Sequence, residues 1–138
     1  MSAGYSGTPL ARKLGHKEGH RVASLGAPEH FPELLEPLPA SVRLRPDLRG
    51  RGSFDVLVAF VRTPAELRRR FEQARRRLEQ NGGLWVSWPK QSSPLATDLR
   101  ESDVRAHGLA AGLVDNKVCA IDEDWSGLRF VVRLRDRR

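Results

Sequence analysis

The chain predicts a three-layer α/β domain built on a mostly parallel sheet of about six strands, closed by an antiparallel C-terminal hairpin. Three observations predict it. Phe54-Asp55-Val56-Leu57-Val58-Ala59-Phe60-Val61 is an almost unbroken apolar, β-branched run, the pattern of a parallel strand covered on both faces. An amphipathic helical stretch follows, and then a second apolar run, Leu84 to Trp88. This strand–helix–strand order is the usual route to a right-handed parallel crossover. Near the end, Leu113 to Ile121 and Leu128 to Leu134 flank the short turn Asp122 to Gly127, which favours an antiparallel pair at a sheet edge.

The remaining elements follow in order. Met1 to Gly7 is small and polar and reads as a loose arm. Thr8-Pro9 supplies an N-cap and a first-turn proline for a short helix, Leu10 to Leu14, which Gly15 closes. Arg21 to Leu25 reads as a first strand ended by Gly26-Ala27-Pro28. Phe31, Leu34, Leu35 and Leu38 share a helical stripe, so a helix is expected over Pro32 to Leu38, stopped by Pro39. Val42 to Arg45 reads as a short strand and Arg49 to Ser53 as a loop. Thr63 caps the next helix, with Pro64 at its first position and Glu66 three residues on. Leu67, Phe71, Ala74 and Leu78 form its buried stripe, and Asn81-Gly82-Gly83 is expected to end it. Ser92 to Leu95 is a loop, and a helix runs from Glu101 to Ala111, with Asp98 or Ser102 as cap and Gly108 weakening it. The last residues, 135 to 138, are expected to fray. Val56, Val58, Phe60, Val86, Val118 and Val131 are expected in the core.

Composition narrows the classes. The 138 residues and 15.5 kDa suit one domain, residues 1–138, and the apolar share of 39% with 30% charged is globular. The lone cysteine, Cys119, excludes an internal disulfide and argues for a reducing, cytoplasmic setting. No apolar run reaches the roughly 20 residues of a membrane helix, so no membrane association is expected, and residues 1–30 lack a signal-peptide plan. The net charge of +7 suits a polyanionic partner such as nucleic acid. The cations are 20 Arg and only 4 Lys, a skew that coding bias alone can produce.

Tyr5-Ser6-Gly7-Thr8-Pro9-Leu10, Leu84-Trp85-Val86-Ser87-Trp88-Pro89-Lys90, the run Leu113 to Asp122 and Trp125-Ser126-Gly127-Leu128-Arg129 together resemble the small bacterial proteins grouped as domain of unknown function 3052. That resemblance covers almost the whole chain and implies no activity. The strand Phe54 to Val58, the helix after it and Asn81-Gly82-Gly83-Leu84-Trp85-Val86 are also similar to the fourth strand, helix and fifth strand of Rossmann-like methyltransferases. The closing hairpin is similar to their reversed last strand, which implies the strand order two, one, three, four, six, five. The likeness departs where those enzymes hold their cofactor. Their glycine-rich loop after the first strand lets backbone approach the ligand, whereas Leu25-Gly26-Ala27-Pro28 has one glycine and a proline without a donor. Only Asp47, beyond Pro46, stands where an acid for the ribose is expected. The fold with its cofactor site lost is the preferred interpretation, with no resident cofactor. A divergent methyltransferase using S-adenosylmethionine is the alternative.

The candidate chemistry is sparse. His16 and His20 stand four apart, but Gly15 and Gly19 break the helix that would align them, so no metal site is expected. Cys119 lies between Val118 and Ala120 as a small apolar side chain would, with Lys117 two residues away on the same face. No catalytic residue is assigned. Arg68-Arg69-Arg70 and Arg75-Arg76-Arg77 form a solvated helix face, paired through Glu66–Arg70 and Glu72–Arg76. In open α/β sheets, ligands bind beyond the carboxyl ends of the strands. Gly26, Thr63, Trp88 and Lys90 lie past such ends, Asp115, Asn116 and Lys117 interrupt a late strand, and Trp125 can cover them. Two of the four lysines in this set point to a small anionic ligand held between Lys90 and Lys117. The same residues also suit structural roles: Trp88 filling a core edge, and the polar side chains capping loops. The expected function is therefore a non-enzymatic domain that binds a small anionic ligand or a protein partner. A basic nucleic-acid-binding accessory protein is a further alternative.

Overall fold

A computed structural model describes residues 8–138. The elements are α1 (Leu10–Lys13), β1 (Val22–Leu25), α2 (Phe31–Leu34), β2 (Leu44–Arg45), β3 (Phe54–Phe60), α3 (Pro64–Arg75), β4 (Leu78–Pro89), α4 (Glu101–Ala110), β5 (Leu113–Ala120) and β6 (Trp125–Val132). One six-stranded sheet has the order β2-β1-β3-β4-β6-β5. β2, β1, β3 and β4 run parallel, while β6 runs antiparallel to β4 and β5. Among the described residues no helix is long and apolar enough to cross a membrane.

The unbroken apolar run of β3 is explained by its central place. Val56, Val58 and Phe60 pack on one face with Leu10, Leu14 and Phe31 of α1 and α2. Leu57 and Ala59 pack on the other with Leu67, Phe71 and Ala74 of α3 and Val104 of α4. The domain therefore has three layers. Thr63 Oγ1 accepts a hydrogen bond from the Glu66 backbone N–H (3.1 Å), so the expected cap of α3 forms.

Several boundaries differ from the sequence reading. The helix begun at Pro64 stops at Arg75, and Leu78–Gly83 extends β4 instead. Gly82 and Gly83 are strand residues required by close approach: a Cβ on Gly82 would meet the Asp55 carbonyl at 2.7 Å, and one on Gly83 would overlap the Arg129 guanidinium. α2 is a single turn, because the prolines at 37 and 39 remove donors and disfavour helix before them. Pro9 takes the N-cap position of α1, without a side-chain cap. α4 is capped at Arg100, whose backbone N–H donates to the Asp103 carboxylate (2.9 Å), and neither Asp98 nor Ser102 has that role. β6 begins at Trp125, inside the expected turn. Past it, residues 134–136 form a 3-10 turn and Arg137 Nε donates to the Val132 carbonyl (3.0 Å), where fraying was expected. The arm expected over residues 1–7 lies outside the described residues.

Of the expected core, Val56, Val58, Phe60, Val86 and Val131 are buried, but Val118 is 48% exposed. Val118 sits on β5, the edge strand, where pairing covers one side only.

Candidate functional site

The parallel strands point their carboxyl ends at one edge of the sheet, where Gly26, Arg62 and Lys90 follow β1, β3 and β4. Between β1 and β3, whose following helices α2 and α3 lie on opposite faces, is a crevice of about 310 Å³. Gly26, Phe60, Glu66, Arg70 and Trp125 line it. Its space is already used. The Arg70 side chain rises from α3, donates from Nη1 to the Phe60 carbonyl (2.5 Å) and stands 3.6 Å from Glu66. Gly26 has φ +66°, and a Cβ there would overlap the Arg70 guanidinium. Arg70 is thus drawn out of the expected solvated face, on which Arg68 and Arg69 remain exposed.

Trp125 is buried rather than mobile, edge-on to Phe60 at 5.1 Å, with the Arg62 guanidinium 5.5 Å from its ring centroid. Beside it, His30 Nε2 and Asp122 Oδ2 are 2.7 Å apart. Asp122 Oδ1 also accepts the backbone N–H groups of Asp124 and Trp125. This pair joins the start of α2 to the β5–β6 turn. Its partners are 92 residues apart, and nothing in the sequence foretold it.

The single site expected to join Lys90 and Lys117 is divided by the sheet. β6 runs down from Trp125, opposite Pro89, to Arg129, opposite Lys117. Four residues of strand, roughly 13 Å, separate those levels. Trp88 is 4% exposed and packs with Leu99 on the α3–α4 face, away from Gly26 and Trp125. Thr63 is occupied as a helix cap. Asp115 faces α4 and pairs with Arg105 (3.0 Å). A bulge at Asn116 interrupts the β5–β6 register, so Lys117 points to the other face. There Lys117 Nζ donates to the Lys13 carbonyl at the end of α1 (3.1 Å).

Lys117 and Asn116 instead line a cleft of about 490 Å³ at the amino ends of the strands. Arg12, Lys13 and Lys17 come from α1 and the turn after it, and Arg129 from β6. Three of the four lysines meet here, although Lys13, Lys17 and Arg129 were not expected in a site. Lysine scarcity is the one signal in the sequence that bears on this grouping. Asp55 is the one carboxylate in the lining, and its Oδ2 accepts the Arg21 backbone N–H (2.8 Å). Among the described residues the ion pairs include none of the five cations. Burial, with Arg137 nearby, pulls the Arg129 guanidinium below its usual range. Burial pushes the Cys119 thiol up, against the opposing pull of Lys13 and Lys117, so this cysteine carries no activated thiolate. Among the described residues no group of three or more His, Cys, Asp and Glu is placed to hold a metal ion.

Strand order, reversed sixth strand and two helical layers define a Rossmann-like domain of the methyltransferase type. Solved structures agree. The chain is similar over 91% of its length to 75% of the ribosomal protein L11 methylase from Lactobacillus delbrueckii subsp. bulgaricus (TM-score 0.62, 13% identity). It is similar over 90% of its length to 74% of magnesium protoporphyrin IX methyltransferase from Synechocystis PCC 6803 with bound SAM (TM-score 0.61, 12% identity). A SAM-dependent methyltransferase from Aquifex aeolicus matches over 90% of this chain and 88% of that one (TM-score 0.58, 14% identity). Identities this low show the fold alone. No curated protein matches the chain by sequence. The chain belongs to the family described as "Protein of unknown function (DUF3052)", whose model matches residues 47–134.

The residues at the carboxyl edge do not fit S-adenosylmethionine. The place where a first-loop glycine would admit a ligand backbone-close is filled by Arg70, and Pro28 offers no donor. Asp47 is turned into its own loop, accepting the Arg49 backbone N–H (3.0 Å).

Proposed function

We propose that this chain is a non-enzymatic, methyltransferase-like domain that binds an anionic ligand in the basic cleft at the amino edge of its sheet. The observation that carries this is the gathering of Arg12, Lys13, Lys17, Lys117 and Arg129 around a cavity of about 490 Å³. Five cations crowded beside one carboxylate repel one another, and an anion relieves that repulsion. The volume lies within the range of small-molecule sites. The Arg70–Gly26 contact supports the non-enzymatic half.

Isothermal titration tests both halves. Sulfate or phosphate should bind the native chain and bind the Lys117→Ala variant more weakly. S-adenosylmethionine and S-adenosylhomocysteine should give no saturable heat at micromolar concentrations. Micromolar binding of either overturns the non-enzymatic half and favours the second reading, a divergent S-adenosylmethionine-dependent methyltransferase. That reading draws on the fold likeness and requires Arg70 to leave the crevice.

A further inference from the structure

The amino-edge cleft has a charge balance and a lining that narrow its ligand. This step rests on the reading above. Five cations face one carboxylate, Asp55, which is already held by the Arg21 backbone. An orthophosphate or a carboxylate carries at most about two charges and leaves most of that excess in place. A chain of two or three phosphates carries about three or four, close to the net charge of the lining.

The cations are also set at different heights and on different elements. Lys117 is tethered through Nζ to the Lys13 carbonyl, which fixes one ammonium at the end of α1. The Arg129 guanidinium lies against Gly83, in the space a Cβ there would take, and has no carboxylate partner among the described residues. Lys17 is exposed at the rim. Ammonium groups act as movable point charges on phosphate oxygens, while a guanidinium offers a planar fork to two of them. Among the described residues the lining holds no Phe, Tyr or Trp to stack a base, and His20 is its one ring.

We infer that the cleft recognises a linear polyphosphate group, inorganic or carried by a nucleotide, with Arg129 on its floor and Lys117 and Lys17 along its length. The phosphate chain is the recognised part.

The experiment is a competition titration of the full chain at physiological salt, using orthophosphate, tripolyphosphate, ATP and a single-stranded RNA. Tripolyphosphate should bind at least about tenfold more tightly than orthophosphate and raise the thermal midpoint. Arg129→Gln and Lys17→Gln should each weaken it about fivefold or more. Lys17→Gln is an exposed change that leaves folding intact, and Lys90→Ala, at the opposite edge, should change nothing. ATP equal to tripolyphosphate assigns recognition to the phosphates alone, and ATP tighter assigns the source to nucleotides; both support the inference. Orthophosphate binding as tightly as tripolyphosphate, still weakened by Lys117→Ala, overturns the polyphosphate inference and leaves the anion cleft standing. Binding of no anion, or binding indifferent to Lys117, Arg129 and Lys17, overturns both. RNA of about 20 nucleotides that outcompetes tripolyphosphate and gains affinity with length also overturns the inference, in favour of a nucleic-acid track.

Discussion

The guanidinium of Arg70 lies over Gly26, in the space a Cβ at that position would fill. It places a protein cation at the switch point of the sheet, anchored to the Phe60 carbonyl, where folds of this kind ordinarily receive a ligand. Gly26→Ala should therefore cost about 1–2 kcal/mol, from strain at φ +66° and from displacing the Arg70 guanidinium off the Phe60 carbonyl. In the Arg70→Ala background the overlap is gone and only the strain, about 1 kcal/mol, remains. Urea denaturation of the two single variants and the double variant reads the coupling. Strictly additive changes would show that the two residues do not share that space.

Gly108 is near the end of α4, yet a Cβ there would run into the Phe130 ring of β6. Helix propensity favours alanine by about 1 kcal/mol, while overpacking a core aromatic costs about 1–3 kcal/mol. The second effect wins, so Gly108→Ala should lower stability in chemical denaturation. A stabilised variant would mean that α4 does not pack this closely on the sheet.

His16 is 4% exposed, its Nδ1 meets the Ala11 carbonyl at 3.1 Å, and its buried Nε2 has no hydrogen-bond partner among the described residues. Burial lowers its pKa from 6.5 to about 4. The unfolded chain binds a proton on this residue between those values and the folded chain does not, so stability rises with pH there. The contribution is complete above about pH 6.5 and disappears as pH falls through 4, a change of about 3 kcal/mol. His16→Gln should flatten the stability profile between pH 4 and 6.5. An unchanged slope would assign the acid sensitivity to other groups.

Trp85 is fully buried, and its Nε1 donates to the Leu14 carbonyl (2.9 Å), pinning the end of α1 to the middle of the sheet. Trp85→Phe should cost about 1–3 kcal/mol by leaving that carbonyl short of a partner. Because the adjoining Lys13 carbonyl holds Lys117, the same variant should also weaken anion binding in the amino-edge cleft. Calorimetry on the folded variant reads both, and unaltered affinity would separate the clamp from the cleft.

The sequence by itself determined the layers, the strand order by way of a resemblance, and the central core. β3 is apolar at every position but one because both its faces are covered, and that pattern is visible without coordinates. Thr63, Pro64 and Glu66 announce the start of α3 because capping is local chemistry. The end of that helix was not legible. Asn81-Gly82-Gly83 carries the letters of a helix stop, but these glycines serve the approach of the Asp55 carbonyl and Arg129, partners 27 and 46 residues distant. The gathering of cations at the amino edge was decided by the tertiary structure alone. A one-residue bulge at Asn116 puts Lys117 on the face opposite Asp115, and β6 carries Arg129 to the same end of the sheet as α1. Which of two sheet edges a side chain reaches depends on register and strand direction, and these are set by long-range pairing rather than by neighbours in sequence.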